Sequence, residues 1–302
     1  MEKVYDLIII GAGPAGITAS IYAKRAMLDF LIFEKWLPGG EIANSSEIEN
    51  YPGINSVSGA ELADKMVDHA KQLGVNINLE SVESVDFKND IKKIITDRGS
   101  YLTKTVIIAT GASAKQLGVK GEEELKGRGV SYCAVCDGAL FRGKTVAVVG
   151  GGDVAVEDAV YLSRLAKKVY IIHRRDELRA VKHEQEKMFK LDNIEPVWNS
   201  NVVSFNGKEF LESVTVKNKI TNETRDLEIS GAFIAVGMTP NVDYLGNAVE
   251  QIPGGWIKTD SSLETSVKGV YATGDVRDTP LRQVVTSVSD GALAVYALQK
   301  YL

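Results

Sequence analysis

A strand, a glycine-rich loop, a helix and a second strand follow one another twice along the chain, and this recurrence predicts an α/β fold. The first copy occupies residues 4–34 and the second residues 145–173. Each copy has the order of parts of a nucleotide-binding unit. The sequence therefore predicts two Rossmann-like nucleotide-binding domains, of the three-layer ββα sandwich type, with the second domain inserted into the first.

The composition is that of a soluble globular protein: 302 residues, of which 44% are hydrophobic and 25% charged. The net charge of −5 argues against nucleic acid as a partner, because phosphate binding needs a basic face. The longest early apolar run, LIII at 7–10, is too short to span a bilayer, and its flanks do not fit a signal peptide. We therefore expect a cytoplasmic protein without a membrane partner.

The first copy suits a dinucleotide that has a free ribose diol, such as FAD. VYDLIIIGAGPAG at 4–16 is a strand that ends in a glycine loop, and after the helix the strand FLIFE ends at Glu34. Gly11 allows a tight turn, Gly13 lets the backbone approach a pyrophosphate, and Gly16 lets the helix pack on the strand. The helix N-terminus offers N–H groups to the phosphates, and Glu34 can accept hydrogen bonds from the diol.

The second copy has basic residues where the first has an acid. Its loop is Gly150-Gly151-Gly152, and Ala155 takes the place of the third glycine, which needs only to be small. Glu34 lies 23 positions after Gly11, and 23 positions after Gly150 comes His173.

His173 opens the run HRRDELR, which contains Arg174, Arg175 and Arg179. Arginines can hold a 2′-phosphate by charge-assisted hydrogen bonds, whereas a carboxylate would repel it. The alternative is a solvated basic turn beside a helix. The position of the cluster, in register with Glu34 of the first copy, favours NADPH.

Three further strand-to-turn stretches have the order expected around two nucleotide sites. They are VIIATGA at 106–112, FIAVGMTPN at 233–241 and VYATGDVRD at 270–278. The last places Asp275 after a strand and a glycine turn, where its carboxylate could bind a ribityl hydroxyl of a flavin. Two dinucleotide sites on one chain suggest electron transfer from one cofactor to the other.

The two cysteines, Cys133 and Cys136, form one Cys-x-x-Cys pair, and three interpretations are open. Zinc requires four ligands, but none of the three histidines (His69, His173 and His183) stands at ligand spacing from the pair. The cysteines could also be buried and inert. A redox dithiol is favoured, because the pair precedes an apparent helix, CDGALF, whose N-terminus would stabilise a thiolate. Asp137 could carry the protons of the dithiol or could simply be a first-turn acid.

Taken together, these motifs resemble the low-molecular-weight, prokaryotic-type thioredoxin reductases, which are class II FAD- and NAD(P)-linked pyridine nucleotide-disulfide oxidoreductases. The resemblance covers essentially the whole chain. Its motifs are GAGPAG, EIENYPG (47–53), ATGA, CAVCDG, GGGDVAVEDA, HRRDELRA, AVGMTPN and TGDVRDTPLRQVVTSVSDG.

The resemblance implies an NADPH-dependent flavoprotein, a homodimer, that reduces oxidised thioredoxin through FAD and a Cys133–Cys136 disulfide. It implies that Cys136 lies against the flavin, that Cys133 exchanges with thioredoxin, and that Asp137 assists proton transfer. The FAD residues would be Gly11, Gly13, Pro14, Ala15, Gly16, Glu34, Lys35, Gly40, Glu41, Asn50, Ala109, Thr110, Gly111, Asp275, Arg282, Gln283 and Val284. The NADPH residues would be Gly152, Asp153, Val154, His173, Arg174, Arg175 and Arg179.

The order of the motifs predicts a discontinuous FAD domain at 1–114 and 245–302 and an inserted NADPH domain at 115–244 that carries the Cys-x-x-Cys pair. The dithiol and the NADPH site then share one domain while the flavin lies in the other. Because both must reach the flavin, we expect a rotation of one domain against the other.

Two positions depart from the pattern of the family. Glu41 stands where the family usually has Gln, which would put an acid beside the flavin. Ala139-Leu140-Phe141 follows CDG, where some relatives have consecutive aromatics that receive thioredoxin, so the chain is expected to serve its own thioredoxin. Two alternatives stay open: a thioredoxin reductase fed by ferredoxin or another donor, and a nucleotide-binding redox sensor.

Overall fold

The computed structural model describes residues 3–44, 48 and 50–302, without the side chains of Asn44 and Cys136. Glu47 and Glu49 of the EIENYPG motif lie outside the described residues. The chain divides into two compact units, the first made of Met1–Ser113 and Thr239–Leu302, the second of Ala114–Met238. For the corresponding two domains, the sequence predicts boundaries after residues 114 and 244.

The strands, in chain order, are β1 (Val4–Ile10), β2 (Phe30–Glu34), β3 (Ile77–Leu79), β4 (Val82–Asp86), β5 (Lys92–Thr96), β6 (Gly99–Ile108), β7 (Ala112–Ala114), β8 (Val130–Ser131), β9 (Thr145–Gly150), β10 (Lys168–Ile172), β11 (Ile194–Val197), β12 (Ser200–Asn206), β13 (Ser213–Asn218), β14 (Thr224–Glu228), β15 (Gly231–Ala235), β16 (Met238–Pro240) and β17 (Val270–Ala272). The α-helices are α1 (Pro14–Arg25), α2 (Gly59–Gln72), α3 (Ala134–Asp137), α4 (Asp153–Ser163), α5 (Lys182–Phe189) and α6 (Val284–Leu298). Short 3₁₀ helices cover Gly40–Asn44, Gly138–Phe141, Asp243–Leu245 and Gly274–Val276.

The sheet of the first unit has the strand order β3-β2-β1-β6-β5-β4, with β17 also beside β6. Strand β6 is long enough for two partners on one side. Its first half pairs antiparallel with β5, and its second half pairs parallel with β17. Strands β3, β2, β1, β6 and β17 therefore run parallel, and their carboxyl ends meet at one edge.

Strand β1 is buried on both faces, which explains its uninterrupted apolar sequence. Leu7 and Ile9 pack into the cluster that includes helices α1 and α6, whereas Ile8 and Ile10 pack into the cluster on the opposite face. Helix α1 begins at Pro14, whose ring presets the helical φ angle.

The second unit has a fully parallel sheet with the order β11-β10-β9-β15-β8 and a separate antiparallel sheet, β12-β13-β14. Along β9, Val146 and Val148 pack with the helical side. Ala147 and Val149 pack with the side that holds Phe205 and other residues of the antiparallel sheet. The layers of this unit are therefore helices, parallel sheet and antiparallel sheet, as the predicted α/β fold requires.

Candidate functional site

A cavity of about 920 Å³ opens at the carboxyl edge of the sheet in the first unit. Of the residues that the sequence assigned to FAD, fifteen line it: Gly11, Gly13, Pro14, Ala15, Glu34, Lys35, Gly40, Glu41, Ala109, Thr110, Gly111, Asp275, Arg282, Gln283 and Val284. Gly16 and Asn50 lie outside the lining. The Asn50 amide nitrogen donates a hydrogen bond of 2.9 Å to the Gln283 side-chain oxygen, so Asn50 is held next to a lining residue.

Two of the three motif glycines after β1, Gly11 and Gly16, leave no room for a side chain. Gly11 has a φ of +102°, and a Cβ there would lie 2.4 Å from the Ala109 carbonyl oxygen. A Cβ on Gly16 would lie 1.8 Å from the Gly11 carbonyl oxygen. Gly16 therefore packs the helix against the strand, which explains its absence from the cavity wall.

The N-terminus of α1 points its backbone donors toward this cavity. Gly13 is the N-cap, Pro14 follows it, and among the described residues no side chain caps the helix. The first N–H groups of a helix lack intrahelical partners, and together with the helix dipole they favour an anion. Such an end is suited to a pyrophosphate.

Glu34 is held in place by backbone donors on both of its carboxylate oxygens. The Ala12 N–H donates to one oxygen at 2.8 Å, and the Trp36 N–H donates to the other at 2.9 Å. A carboxylate has about four lone-pair positions, so hydrogen bonds to a ribose diol remain possible. The backbone therefore fixes the direction of the acid that the sequence singled out.

Asp275 also lines the cavity and lies on the 3₁₀ helix Gly274–Val276. Burial raises the pKa of the Asp275 carboxyl, and a 3.3 Å hydrogen bond from the Ser287 hydroxyl opposes the rise. The turn itself is tied down by Asp290, which accepts a 2.9 Å hydrogen bond from the Gly274 N–H. The Arg282 guanidinium lies 3.7 Å from the centre of the Trp256 ring.

Sequence reasoning missed several residues of this site. Trp36 lines the cavity and is 74% exposed, and the pattern around Glu34 gave no separate signal for it. Asp290 and Trp256 contact cavity residues without lining the cavity. Asp290 lies within the motif TGDVRDTPLRQVVTSVSDG, but the sequence gave it no role, and Trp256 belongs to no motif. A buried acid in the apolar helix α6 is the signal that could have drawn attention to Asp290.

In the second unit the loop Gly150–Gly152 joins β9 to α4, with Gly152 as N-cap and Asp153 as the first helical residue. Gly152 is half-buried, whereas Asp153 and Val154 are exposed. The Asp153 carboxylate accepts a 2.7 Å hydrogen bond from the Val181 N–H and so ties the start of α4 to the segment after the arginine cluster.

His173 is buried beneath this loop. A Cβ on Gly151 would lie 2.3 Å from ring atoms of His173, so the imidazole occupies the space that a side chain at 151 would need. The His173 Nε2 atom is buried and has no hydrogen-bond partner among the described residues. Burial, followed by the charges of Arg179, Arg175 and Arg174, lowers the pKa of His173.

The three arginines of the cluster are exposed, in contrast to His173. The backbone N–H of Arg179 donates a hydrogen bond of 2.6 Å to the Gly151 carbonyl oxygen, which holds the cluster against the glycine loop. Arg174 and Arg175 follow directly after β10, at the carboxyl edge of the parallel sheet. The structure therefore brings a glycine loop, a helix N-terminus and three exposed cations together.

Cys133 is disulfide-bonded and lies directly before α3. Its backbone N–H donates a hydrogen bond of 3.1 Å to the Ser131 hydroxyl oxygen, and its carbonyl oxygen accepts one of 3.2 Å from the Asp137 N–H. Ser131 had no sequence signal. Cys136 lies within α3, and its side chain is outside the described residues.

The predicted helix CDGALF is shorter than expected. Helix α3 ends at Asp137, and a 3₁₀ helix covers Gly138–Phe141. Gly138 is a weak helix former, and a Cβ there would lie 2.8 Å from the Leu162 side chain, so the close packing on α4 requires this residue. Asp137 lies in the first turn of α3, as the simpler interpretation of this acid expects, and it is the N-cap of the 3₁₀ helix without a side-chain capping bond.

Two nucleotide-type loops and a disulfide at Cys133 on one chain define a class of oxidoreductase that couples a dinucleotide to a disulfide. The chain matches the pyridine nucleotide-disulphide oxidoreductase family over residues 5–291 and belongs to that family. The use of a flavin and a pyridine nucleotide follows from this membership.

Within this family the chain is similar to thioredoxin reductases. It is 45% identical to the thioredoxin reductase of Bacillus subtilis over 307 residues, which cover 100% of this chain and 96% of the relative. It is 43% identical to the solved structure of Lactococcus lactis thioredoxin reductase, with a TM-score of 0.86 and 98% of each chain covered. The structure from Streptococcus pyogenes is 45% identical, with a TM-score of 0.74 and coverage of 100% and 99%. The predicted fold class and resemblance are confirmed.

Within residues 3–44, 48 and 50–302, no helix is long and apolar enough to cross a membrane. Over the same part of the chain, no group of three His, Cys, Asp or Glu side chains is placed to hold a metal ion.

Proposed function

We propose that this protein is a thioredoxin reductase that binds FAD in the first unit and NADPH on the second, and that reduces oxidised thioredoxin through a Cys133–Cys136 disulfide. One observation carries the proposal: the two glycine loops are matched in structure but opposite in the charge beside them. Glu34 is the last residue of the second strand of the first unit, and Arg174 lies two residues after the end of the corresponding strand of the second.

The residues of the first unit fit FAD. The cavity of about 920 Å³ is near the upper end of the about 300–1,000 Å³ that small-molecule sites have, as a large dinucleotide requires. Gly13 lines the cavity, and only the Gly40 Cα lies within 4 Å of its Cβ position, at 3.8 Å, so its backbone is open to the close approach of a pyrophosphate. Glu34 would hold the adenosine ribose and Asp275 a ribityl hydroxyl. When bound, FAD supplies the transfer of electrons between a nicotinamide and a disulfide.

The residues of the second unit fit NADPH. The α4 N-terminus would receive the pyrophosphate, and Arg174, Arg175 and Arg179 would hold the 2′-phosphate by charge-assisted hydrogen bonds. The motif placed His173 among the residues that contact NADPH, and we propose a different role for it. Since its ring is buried against Gly151, we assign it to the support of the loop and leave the direct phosphate contact to the arginines.

The cysteines would carry out thiol–disulfide exchange with the substrate protein. The Cys133 thiolate attacks one sulfur of the thioredoxin disulfide, and the second thioredoxin sulfur leaves as a thiolate. The Cys136 thiolate then attacks Cys133, so the Cys133–Cys136 disulfide re-forms and thioredoxin leaves with two thiols. Asp137, whose side chain is half-buried and makes no capping bond, would deliver the proton to the leaving sulfur.

Three accompanying expectations belong to the proposal. The protein is a homodimer, it works in the cytoplasm, and its partner is a thioredoxin rather than a membrane or a nucleic acid. Supply of electrons by ferredoxin is not favoured, because the second unit has the glycine loop and the exposed arginines that suit NADPH. A sensor that does not turn over is disfavoured, because relatives about 45% identical over the whole chain are named thioredoxin reductase.

Replacement of Cys133 by Ser tests the proposal. We expect the purified variant to bleach its flavin absorbance with NADPH as the wild type does, because the nucleotide sites are untouched. It should lose the reduction of oxidised thioredoxin, because Ser does not exchange with a disulfide. Ser131→Ala, which alters only the backbone support of Cys133, is the matched control and should retain turnover. Full thioredoxin reduction by Cys133→Ser would remove the cysteine from the mechanism.

A further inference from the structure

The surface that follows α3 carries four exposed cations that form one cluster, here called the basic patch: Arg142, Lys144, Arg164 and Lys167. Two backbone hydrogen bonds connect the segments that carry them. The Gly143 N–H donates to the Leu165 carbonyl at 2.9 Å, and the Lys167 N–H donates to the Lys144 carbonyl at 2.8 Å. The cations are therefore neighbours although they lie in two separate stretches of sequence.

The basic patch is not neutralised by the part of the chain that the structure describes. None of its four cations forms an ion pair there, whereas the next cation, Lys168, pairs with Glu195 at 2.6 Å. Asn193 in the adjoining loop donates a hydrogen bond of 3.3 Å to the Ala166 carbonyl. That loop contributes one base, Lys190, and one acid, Asp192. A cluster of uncompensated positive charge is unusual on a chain with a net charge of −5.

An exposed apolar side chain stands between the basic patch and Cys133. Leu140 is 70% exposed, whereas the neighbouring Phe141 is 9% exposed and packs edge-on against Phe233 at 5.6 Å. Of the Ala139-Leu140-Phe141 segment, Phe141 therefore belongs to the core, and Leu140 is the large apolar side chain available to a partner.

The short helices from Ala134 to Phe141 connect Cys133 to the basic patch without a break. At about 1.5–2 Å of rise per residue, nine residues place the patch within about 20 Å of Cys133. A standard protein interface buries about 800 Å² per partner, which is wide enough to include both. A protein whose disulfide meets Cys133 can therefore reach Leu140 and the patch within one interface.

We propose that Leu140 and the basic patch dock an acidic face of the protein substrate, beside the disulfide that this enzyme reduces. The inference rests on the proposed function and adds the chemistry of the partner: carboxylates around a small apolar contact. A protein fits better than a nucleic acid, because an exposed leucine offers nothing to a phosphate backbone. Four cations are also fewer than the about six to ten phosphate contacts that give strong nucleic-acid binding.

The test compares four enzymes at low and high salt: the wild type, the patch variant R142Q/K144Q/R164Q/K167Q, the variant Leu140→Ser, and the control K208Q/K217Q/K219Q/R225Q. The control removes four exposed cations from the strands and connecting loops of the antiparallel sheet of the same unit. The substrate is an oxidised thioredoxin with a net negative charge, and kcat/KM is measured from NADPH oxidation. Flavin reduction by NADPH is measured on each sample as a check of folding and loading.

We expect the patch variant to lose at least about tenfold in kcat/KM at low salt, within the range of electrostatic steering, mainly through KM. The loss should shrink at high salt, where charges are screened within a few Å. Leu140→Ser should raise KM at both salt concentrations, and the control should match the wild type.

Equal values for the patch variant and the control overturn the inference while the proposed function stands. Failure of the wild type to reduce any thioredoxin would instead defeat the proposed function itself. Retention of a DNA oligonucleotide by the wild type, with loss in the patch variant and no effect of Leu140→Ser on thioredoxin reduction, would assign the patch to nucleic acid and also overturn the inference.

Discussion

The Arg277 guanidinium forms two hydrogen bonds with the Asp290 carboxylate, at 2.7 Å from Nε to Oδ2 and 3.1 Å from Nη2 to Oδ1. The same Oδ2 accepts from the Gly274 N–H at 2.9 Å. A planar guanidinium matched to a carboxylate is among the strongest ion pairs in proteins. Through it, helix α6 holds the turn that presents Asp275 to the cavity.

Asp290→Asn is expected to destabilise the protein and to weaken FAD binding. The side chains of the pair are only 17% and 10% exposed, so the change leaves a buried guanidinium without its counter-charge. Breaking such a pair costs about 3–5 kcal/mol. Urea unfolding of the apoprotein gives the stability, and titration with FAD gives the affinity.

Glu250→Gln is the matched control for that experiment. It breaks the Lys258–Glu250 pair of 2.8 Å, whose side chains are 55% and 54% exposed. Such surface pairs contribute about 0–1 kcal/mol, so the midpoint of unfolding should hardly move. Equal effects of the two substitutions would show that the Asp290 pair does not hold the turn.

Gly151→Ala is expected to destabilise the protein, and a second substitution should relieve the effect. The new Cβ would lie 2.3 Å from the His173 ring, and overpacking of this kind costs about 1–3 kcal/mol. The double variant G151A/H173A lacks the imidazole ring, so its free energy of unfolding should equal that of H173A alone. Gly152→Ala is the control for stability, since nothing lies within 4 Å of its Cβ position.

The free energies of unfolding of these variants form a double-mutant cycle. A coupling of zero between Gly151→Ala and His173→Ala would mean that the imidazole does not fill the space over the loop.

Stability should decrease as the pH falls below the ordinary pKa of histidine, because of His173. Burial and the three neighbouring arginines lower its pKa from 6.5 in the folded state. Between that lowered pKa and 6.5, the unfolded chain binds more protons than the folded chain, so stability is complete above 6.5 and is lost as the pH falls. Urea unfolding of the apoprotein at a series of pH values measures this loss.

His173→Gln should reduce the pH dependence over that range, because the glutamine does not titrate. Exposed His69 on α2, replaced by Gln, serves as the control and should leave the wild-type slope unchanged. An identical slope for His173→Gln and the wild type would contradict the assignment.

Replacing Arg174 and Arg175 by Ala should erase the preference for NADPH over NADH. Two charge-assisted hydrogen bonds of about 1.5–3 kcal/mol each correspond to a factor of about 100 or more in kcat/KM. The measurement is kcat/KM with each coenzyme, with K217Q/K219Q as a charge-matched control elsewhere on the unit. A double variant that keeps the wild-type ratio would place the 2′-phosphate elsewhere.

Local patterns in the sequence were sufficient to predict the parts of the site that the backbone builds. The strand, glycine loop, helix and terminal acid lie within residues 4–34, so Gly11 and Glu34 could be singled out from spacing alone. The same reasoning predicted the second loop and its arginines. These features depend on contacts between neighbours in sequence, which a linear pattern records.

Contacts across the fold could not be predicted in this way. Arg277 and Asp290 meet because α6 packs beside the turn after β17, and Asp278 in the same stretch is an equally plausible acid by sequence. The sequence places His173 in a basic cluster, but it is buried because it lies directly after the buried end of β10. The sequence likewise suggests that Phe141 is an exposed docking residue, whereas its ring packs against Phe233.

The most direct test of the central claim is NADPH oxidation by the purified yellow protein, with and without oxidised thioredoxin. We expect slow oxidation without thioredoxin, rapid oxidation with it, and the appearance of two thiols per NADPH consumed. Oxidation that does not respond to any thioredoxin, or a protein that binds no flavin, would contradict the account.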